Sequence, residues 1–386
     1  MPIYSLKDIV LYFLKLGYSG FGGPVALVGY MQRDLVENKK WISEEAYKTG
    51  LALAQLAPGP LAAQLGIYLG FVHYGVLGAT LCGLAFVLPS FIMVVLLGIA
   101  YKLYGGLSWM QAVFYGVSAA VIGIIIISSY KLTVKSIGKF NLKSFQGNWL
   151  LWLFYIIAAA ITIYTQSESV LLFVLSGLIY MLVKSPPNWI IKSPTPHLLF
   201  FLQIGFWQFD ANLLAKIAWF FLKAGAFVFG SGLAIVPFLH GGVVTEYHWL
   251  NEKQFVDAIA VAMITPGPVV ITTGFIGYLV AGFPGACVAA LATFLPCYLI
   301  TIFAAPHFTK IAENKSIKAF VDGVTASVVG ALVGAVVIIG TRSIIDIPTA
   351  LIAIATILSL LYIKKIQEPF IILIAAVLGV LIDSFL

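Results

Sequence analysis

"LAQLAPGPLAAQLG" occupies residues 53–66, and "VAMITPGPVVITTG" occupies residues 261–274. Each sets a Pro-Gly-Pro triplet inside a stretch apolar enough for a membrane interior. Proline removes a backbone donor and costs about 3 kcal/mol inside a helix, so two prolines around a glycine make a turn. In lipid, such a turn is tolerated only where protein or a wet cavity surrounds it. Both stretches therefore read as re-entrant helical hairpins. Their tips, Pro58-Gly59-Pro60 and Pro266-Gly267-Pro268, face a polar path.

The membrane setting follows from composition. Of 386 residues, 61% are hydrophobic and 10% charged, with mean hydropathy +1.04, whereas soluble domains carry roughly 25% charged residues. Apolar runs of about 20 residues recur without strand-type alternation, which defines an all-α polytopic membrane protein in a lipid bilayer. The net charge of +7 comes from Lys and Arg in short loops, which fits cytoplasmic loop bias and not nucleic-acid binding. Cys82, Cys287 and Cys297 lie in apolar segments without CxxC spacing and read as packing residues, and no metal site is expected. No cofactor or Walker A motif is present. The N-terminal apolar run has no small-residue cleavage site before the chain turns polar at Gln32, so no removed signal peptide is expected.

An internal repeat organises the chain. "FLKLGYSGFGGPVALVGY" from Phe13 and "FLKAGAFVFGSGLAIVPF" from Phe221 match at an offset of 208 residues, as do Trp41 with Trp249, Glu44 with Glu252, and the two Pro-Gly-Pro triplets. After a one-residue gap the register continues at 207, pairing Gly75 with Gly282, Pro89 with Pro296, "GVSAAVIG" from Gly116 with "GVTASVVG" from Gly323, and Lys135 with Arg342. A two-fold repeat of this kind is a common transporter plan. Residues 1–183 form the N-terminal repeat and 213–386 the C-terminal one, joined by a proline-rich linker over 184–212. Six apolar segments read out in each half: 9–31, 46–73, 76–104, 110–130, 148–166 and 169–183, then 213–239, 254–280, 283–305, 318–340, 347–363 and 368–385.

Loop charges orient the halves. Lys131, Lys135, Lys139 and Lys143 follow the fourth segment of the first half, whereas the second half places Lys310, Lys315 and Lys318 before its fourth segment. Arg33, Lys39, Lys40 and Lys48 follow the first segment, against Lys253 alone in the second half. Equivalent loops thus face opposite sides, giving inverted-topology repeats. With one re-entrant hairpin per half, about five transmembrane helices remain in each, predicting ten crossings and both termini on the outer face.

The helices entering after Pro60 and Pro268 point their N-terminal amides at the tips, and helix N-termini attract anions. Gly22 and Gly23 in "SGFGGP", and Gly230 in "FGSG", add backbone able to form further amide concavities; close packing is the competing reading of these glycines. Gln64 and its mate Thr272 lie one turn beyond the tips, facing either a substrate or a neighbouring helix. Lys15 and Lys223 hold identical repeat positions, as counter-charges for an anion or as snorkelling side chains. Asp322 is the candidate for a coupling proton, with a structural pair or segment-end cap as the alternative. His73, His240 and His248 read as interfacial residues, Trp41 and Trp249 as interface anchors, and Ser43 and Asn251 as helix N-caps.

The doubled patterns "FGGP…QLAPGP" and "FGSG…MITPGP", with the later "GVSAAVIG/GVTASVVG", resemble the chromate ion transporter family in its long-chain, two-domain form, from Leu14 to Arg342. The resemblance implies export of the chromate dianion, with sulfate as a related oxyanion; "FGSG" in place of "FGGP" departs from strict two-fold equality. The expected protein is a secondary transporter of the plasma (inner) membrane working by alternating access, with homodimerisation left open. A passive anion channel built on the same hairpins is the other class. A membrane enzyme finds no His, Asp, Glu or Cys cluster.

Overall fold

The computed structural model describes residues 4–21, 23–167, 169–187, 212–228, 232–307, 314–363 and 367–385. Gly22, Gly230 and most of the linker lie outside them.

The first apolar segment is a second hairpin. Helix α1 (Leu6–Ser19) starts in a Ser5/Asp8 capping box and ends at Gly20; α2 (Gly23–Met31), prolonged by a π-helical stretch over Gln32–Asn38, runs back beside it. Gly20 abuts Leu27, and the Tyr12 hydroxyl reaches Asp34 at 3.5 Å, so the two arms are antiparallel. Gly23 has φ +72°, a conformation that favours glycine, and Pro24 then fixes the first turn of the return arm.

The Pro-Gly-Pro stretch forms the expected hairpin. Helix α3 (Glu44–Leu56), capped by Ser43, descends to the tip, and α4 (Leu61–Tyr104) leaves it. Gly50 lies against the Tyr68 ring, both equidistant from Gly59, which fixes the arms as antiparallel. At Gly75 (φ +56°) α4 reverses, with the backbones of Gly70 and Gly78 in contact, so 61–74 returns and 76–104 crosses the bundle. Helices α5 (Ser108–Ser136), α6 (Leu142–Gly147), α7 (Trp149–Thr165) and α8 (Val170–Lys184) complete the half.

The second half repeats the order: α9 (Leu213–Ala226), a return arm of short turns over Gly232–Ile235, α10 (Val236–Leu239) and His240–Glu246, then α11 (Glu252–Ile264), α12 (Thr272–Ala304, reversing at Gly282), α13 (Lys315–Ser343), α14 (Ile347–Tyr362) and α15 (Glu368–Phe385). Among the described residues, four stretches are long and apolar enough to cross a membrane: Leu61–Tyr104, Ser108–Ser136, Val269–His307 and Lys315–Ser343.

Equivalent helices run in opposite directions. Thr80 meets Tyr298 (O···O 2.5 Å) while Phe91 meets Phe283, so 76–104 and 283–304 are antiparallel. The halves also interlock. A Cβ on Gly116 would lie 2.0 Å from the Ala375 carbonyl oxygen, and one on Gly330 would lie 2.2 Å from that of Tyr155. The glycines of "GVSAAVIG" and "GVTASVVG" thus let the fourth segment of each repeat receive the last two helices of the other.

These directions gather Lys39, Lys48, Lys135 and Lys315 at one end of the bundle, with Tyr4 stacked on Trp41. Lys102, Lys253, Arg342 and Asp383 lie at the other. The described chain ends therefore sit on opposite faces, and not on one face as the crossing count had predicted. The break between Gly20 and Gly23, and the return arm over Gly232–Glu246 in the second half, also lower the crossing count: in each half a segment counted as a through-helix returns to its own side, leaving 76–104, α5, α7 and α8 to run between the faces in the first.

Candidate anion-binding site

The hairpin tips from both repeats meet at the centre. The Gly59 N–H donates to the Val228 carbonyl at 2.6 Å, and the Gly267 N–H donates to the Gly20 carbonyl at 2.9 Å. Val228 and Gly20 are repeat mates, so each Pro-Gly-Pro tip is pinned to the end of the first helix of the other repeat. The amides of Gly59 and Gly267 are thereby occupied. Those of Leu61, Ala62 and Ala63 precede the first intrahelical bond, Gln64 N–H to Pro60 O at 2.9 Å, and carry the partial positive charge of the helix end. Both tip glycines have positive φ, +144° and +92°.

A cavity of about 310 Å³ opens onto the tips from the Lys-rich face. The tips contribute Gly20, Gly23, Leu61, Thr265 and Gly267; α5 contributes Ile124, Ser128, Lys131 and Lys135; α15 contributes Glu368. Two ammonium groups and one carboxylate thus face glycine backbone and a helix start. Beneath it, where Pro24, Pro60, Gly232 and Pro268 converge, the remaining void is about 10 Å³, the room of about one water.

Other expected residues are distributed differently. Gln64 is buried, its Nε2 donating to Pro58 O at 3.4 Å and its Oε1 without a partner; it cradles its own tip. Thr272 donates to Val269 O in its own turn, and Ser90 closes the second tip by donating to Pro266 O at 2.7 Å. Lys15 lines an outer cleft of about 800 Å³ with Asp8, Arg33, Asp34 and Lys39, which shares Gly20 and Phe21 with the central cavity. Its mate Lys223 lies 5.7 Å over the Trp219 ring of its own helix and lines neither space. Asp322 stands beside Lys318 and Tyr180, away from the tips.

The chromate transporter family model matches residues 7–181 and 215–380. This chain belongs to the chromate transporter family. It is 61% identical to the chromate transport protein of Cupriavidus metallidurans, across 98% of this chain and 93% of that protein. It is 59% identical to a probable chromate transport protein of Synechococcus elongatus (99% and 97%) and 31% identical to the chromate transport protein of Pseudomonas aeruginosa (87% and 81%). No solved structure matches it.

On the opposite face of this chromate transporter family member, the space equivalent to the central cavity is closed. The mates of Ser128, Lys131 and Lys135 are Ala335, Ile338 and Arg342, and Ala335 and Ile338 are buried in the core. Arg342 pairs with Glu252 and donates to Gln166 Oε1 at 2.7 Å, while Glu252 also contacts His240 Nε2 at 2.9 Å. His240 is therefore a buried partner of an ion pair and not an interfacial residue. On the open face the mate of Glu252, Glu44, pairs instead with Lys48 at 2.7 Å, leaving Lys135 on the cavity wall.

The lysines of the transporter's cavity carry a legible sequence signal. Ile124, Ser128, Lys131 and Lys135 recur at helical spacing, which puts them on one face of α5. Ending that segment at residue 130 had assigned both lysines to a loop.

Proposed function

We propose that this protein transports chromate, a tetrahedral dianion, across the plasma membrane by alternating access, exporting it from the side that bears the Lys-rich loops. That side is the cytoplasmic one by the distribution of Lys and Arg. The chromate transport proteins to which the chain is similar along nearly their whole length supply the substrate class, with sulfate as the chemically related competitor.

The observation that carries the mechanism is the inequality of two repeat-equivalent spaces. One holds the 310 Å³ cavity; its counterpart is filled by apolar packing and locked by Arg342–Glu252. Inverted repeats can exchange conformations, and the exchange closes the first space while opening the second. Chromate enters from the Lys-rich face, where Lys131 and Lys135 offset its charge and the N–H groups at Leu61–Ala63 donate to its oxygens. The tips then separate it from the far side. The void of about 10 Å³ between the tips supports alternating access over a pore that stands open in this conformation.

Counterflow of labelled chromate in proteoliposomes tests the reading. Unlabelled internal chromate should accelerate entry of labelled chromate, as exchange through one alternating site requires. Flux insensitive to chromate on the far side would overturn it.

A further inference from the structure

We propose that Asp257 is the proton-binding residue that couples transport to a proton gradient. This rests on the alternating-access reading.

Asp257 lies on α11, the descending arm of the second Pro-Gly-Pro hairpin, and is 1% exposed. Its Oδ2 accepts a hydrogen bond from Tyr101 at 2.7 Å, while Oδ1 is buried without a partner. Among the described residues no Lys, Arg or His forms an ion pair with it. Its surroundings account for the nearby charges. Lys253 precedes it by one turn on α11. Tyr101 comes from 76–104, Ser118 and Tyr115 from α5, and Asp383 from α15. Arg342 on α13 and His240 on the return arm are both committed to Glu252. A carboxylate so placed has hydroxyl neighbours and Lys253 one turn away but no ion-pair partner, and buried charges of this kind are costly and commonly functional.

Protonation of Oδ1 removes that charge and turns the orphan acceptor into a hydroxyl. Water reaches the neighbourhood through a cavity of about 500 Å³ lined by Ser118, Val256, Lys253 and Arg342. The step is a simple transfer: a proton from water in this cavity bonds to Oδ1, and in the exchanged conformation that O–H bond breaks and the proton returns to water on the other side. The mate of Asp257 is Thr49, so the other repeat has no acid at this position. Asp257 also sits on the helix that carries Glu252, the anion of the closing ion pair, so a change of charge here acts on the arm that must move.

The test uses the purified full-length protein in proteoliposomes, with labelled chromate driven either by a pH gradient or by counterflow. Asp257→Asn, a fixed mimic of the neutral acid, should lose about tenfold or more of gradient-driven accumulation while counterflow stays within about threefold of wild type. Asp257→Glu should restore the driven mode, and the infrared C=O band of a protonated carboxyl should disappear in Asp257→Asn. Gradient-driven accumulation at the wild-type level in Asp257→Asn overturns the proposal, as does equal loss of both modes in folded protein. If that variant does not insert, Tyr101→Phe should shift the pH midpoint of driven transport with counterflow retained; an unmoved midpoint overturns it. Wild-type counterflow without any response to the pH gradient defeats proton coupling alone, whereas absence of wild-type counterflow defeats alternating access.

Discussion

The tip glycines offer the most quantitative test of the central crossing. At Gly59 a Cβ would lie 2.4 Å from the Cys297 Cβ and 3.1 Å from Gln64 Oε1, on a backbone with φ +144°. Ordinary carbon contacts are about 3.5–4.0 Å, so Gly59→Ala demands a shift of about 1 Å. Strained φ costs about 1–3 kcal/mol, overpacking about 1–3 kcal/mol, and loss of the bond to Val228 about 1 kcal/mol. The sum, about 3–7 kcal/mol, exceeds what a hairpin tip can absorb in place. Gly59→Ala should therefore abolish chromate uptake in proteoliposomes and lower the unfolding temperature in detergent. Cys297→Gly removes the clashing atom at a cost of about 1 kcal/mol for glycine in a helix. In the Gly59→Ala background it should instead recover about 1–3 kcal/mol, leaving the φ strain. Gly267→Ala should be milder, because its Cβ meets the Ser90 hydroxyl at 2.1 Å, and that side chain can rotate away for the loss of its bond to Pro266. Wild-type uptake by Gly59→Ala, or an equal effect of Cys297→Gly in both backgrounds, would refute the reasoning.

Three further outcomes are expected. Lys15→Gln should slow chromate entry chiefly at low ionic strength, because Lys15 lines the outer cleft and long-range attraction is screened by salt, whereas Lys223→Gln should leave transport unchanged; initial rates against salt concentration check both. Cysteines replacing Glu44 and Lys135 should cross-link only during turnover and then block transport, while cysteines replacing Glu252 and Arg342 should cross-link at rest. A cysteine at Lys139 should be shielded from membrane-impermeant reagents in intact cells and one at Asp383 should react, with the N-terminal end shielded like Lys139; labelling of both ends from outside would contradict the observed chain directions.

What the sequence made legible is what a backbone turn or a register determines. Pro-Gly-Pro cannot continue a helix, so both tips could be read directly, and the constant offset disclosed the repeat. The break between Gly20 and Gly23 was harder, because glycines in an apolar run of adequate length are equally compatible with a packed through-helix. Lys15 and Lys223 stood out through their shared register. Register equates positions but does not bring mates together, and inversion sends them to opposite faces. Asp257 was hidden for another reason: it follows the polar start "NEKQF", where an acid reads as a solvated first turn. The packing of Tyr101 and of α5 against that helix buries it. The occupied amides of Gly59 and Gly267 depend on contacts between repeats that no local pattern encodes.

On the proposed alternating-access reading, the differences between repeat mates give transport a direction. Where the open cavity has Ser128 and Lys131, the space that opens after exchange has Ala335 and Ile338. On that reading, chromate would move from a site with two facing ammonium groups to one where only Arg342, freed from Glu252, remains. An affinity difference between states favours capture on one side and release on the other, although net work still requires the coupled ion. Lys131→Ile tests this by giving the first repeat the residue that its mate already carries, so the side chain suits the fold. Removing one ammonium near a dianion in a water-filled cavity should cost about 1–2 kcal/mol after screening, or about tenfold in affinity. Affinity from the Lys-rich face should fall by that factor while affinity from the opposite face stays constant, as measured by half-saturation in right-side-out and inside-out vesicles. An equal fall on both faces would mean that Lys131 acts on the fold and not on the anion, and the directional argument would fail.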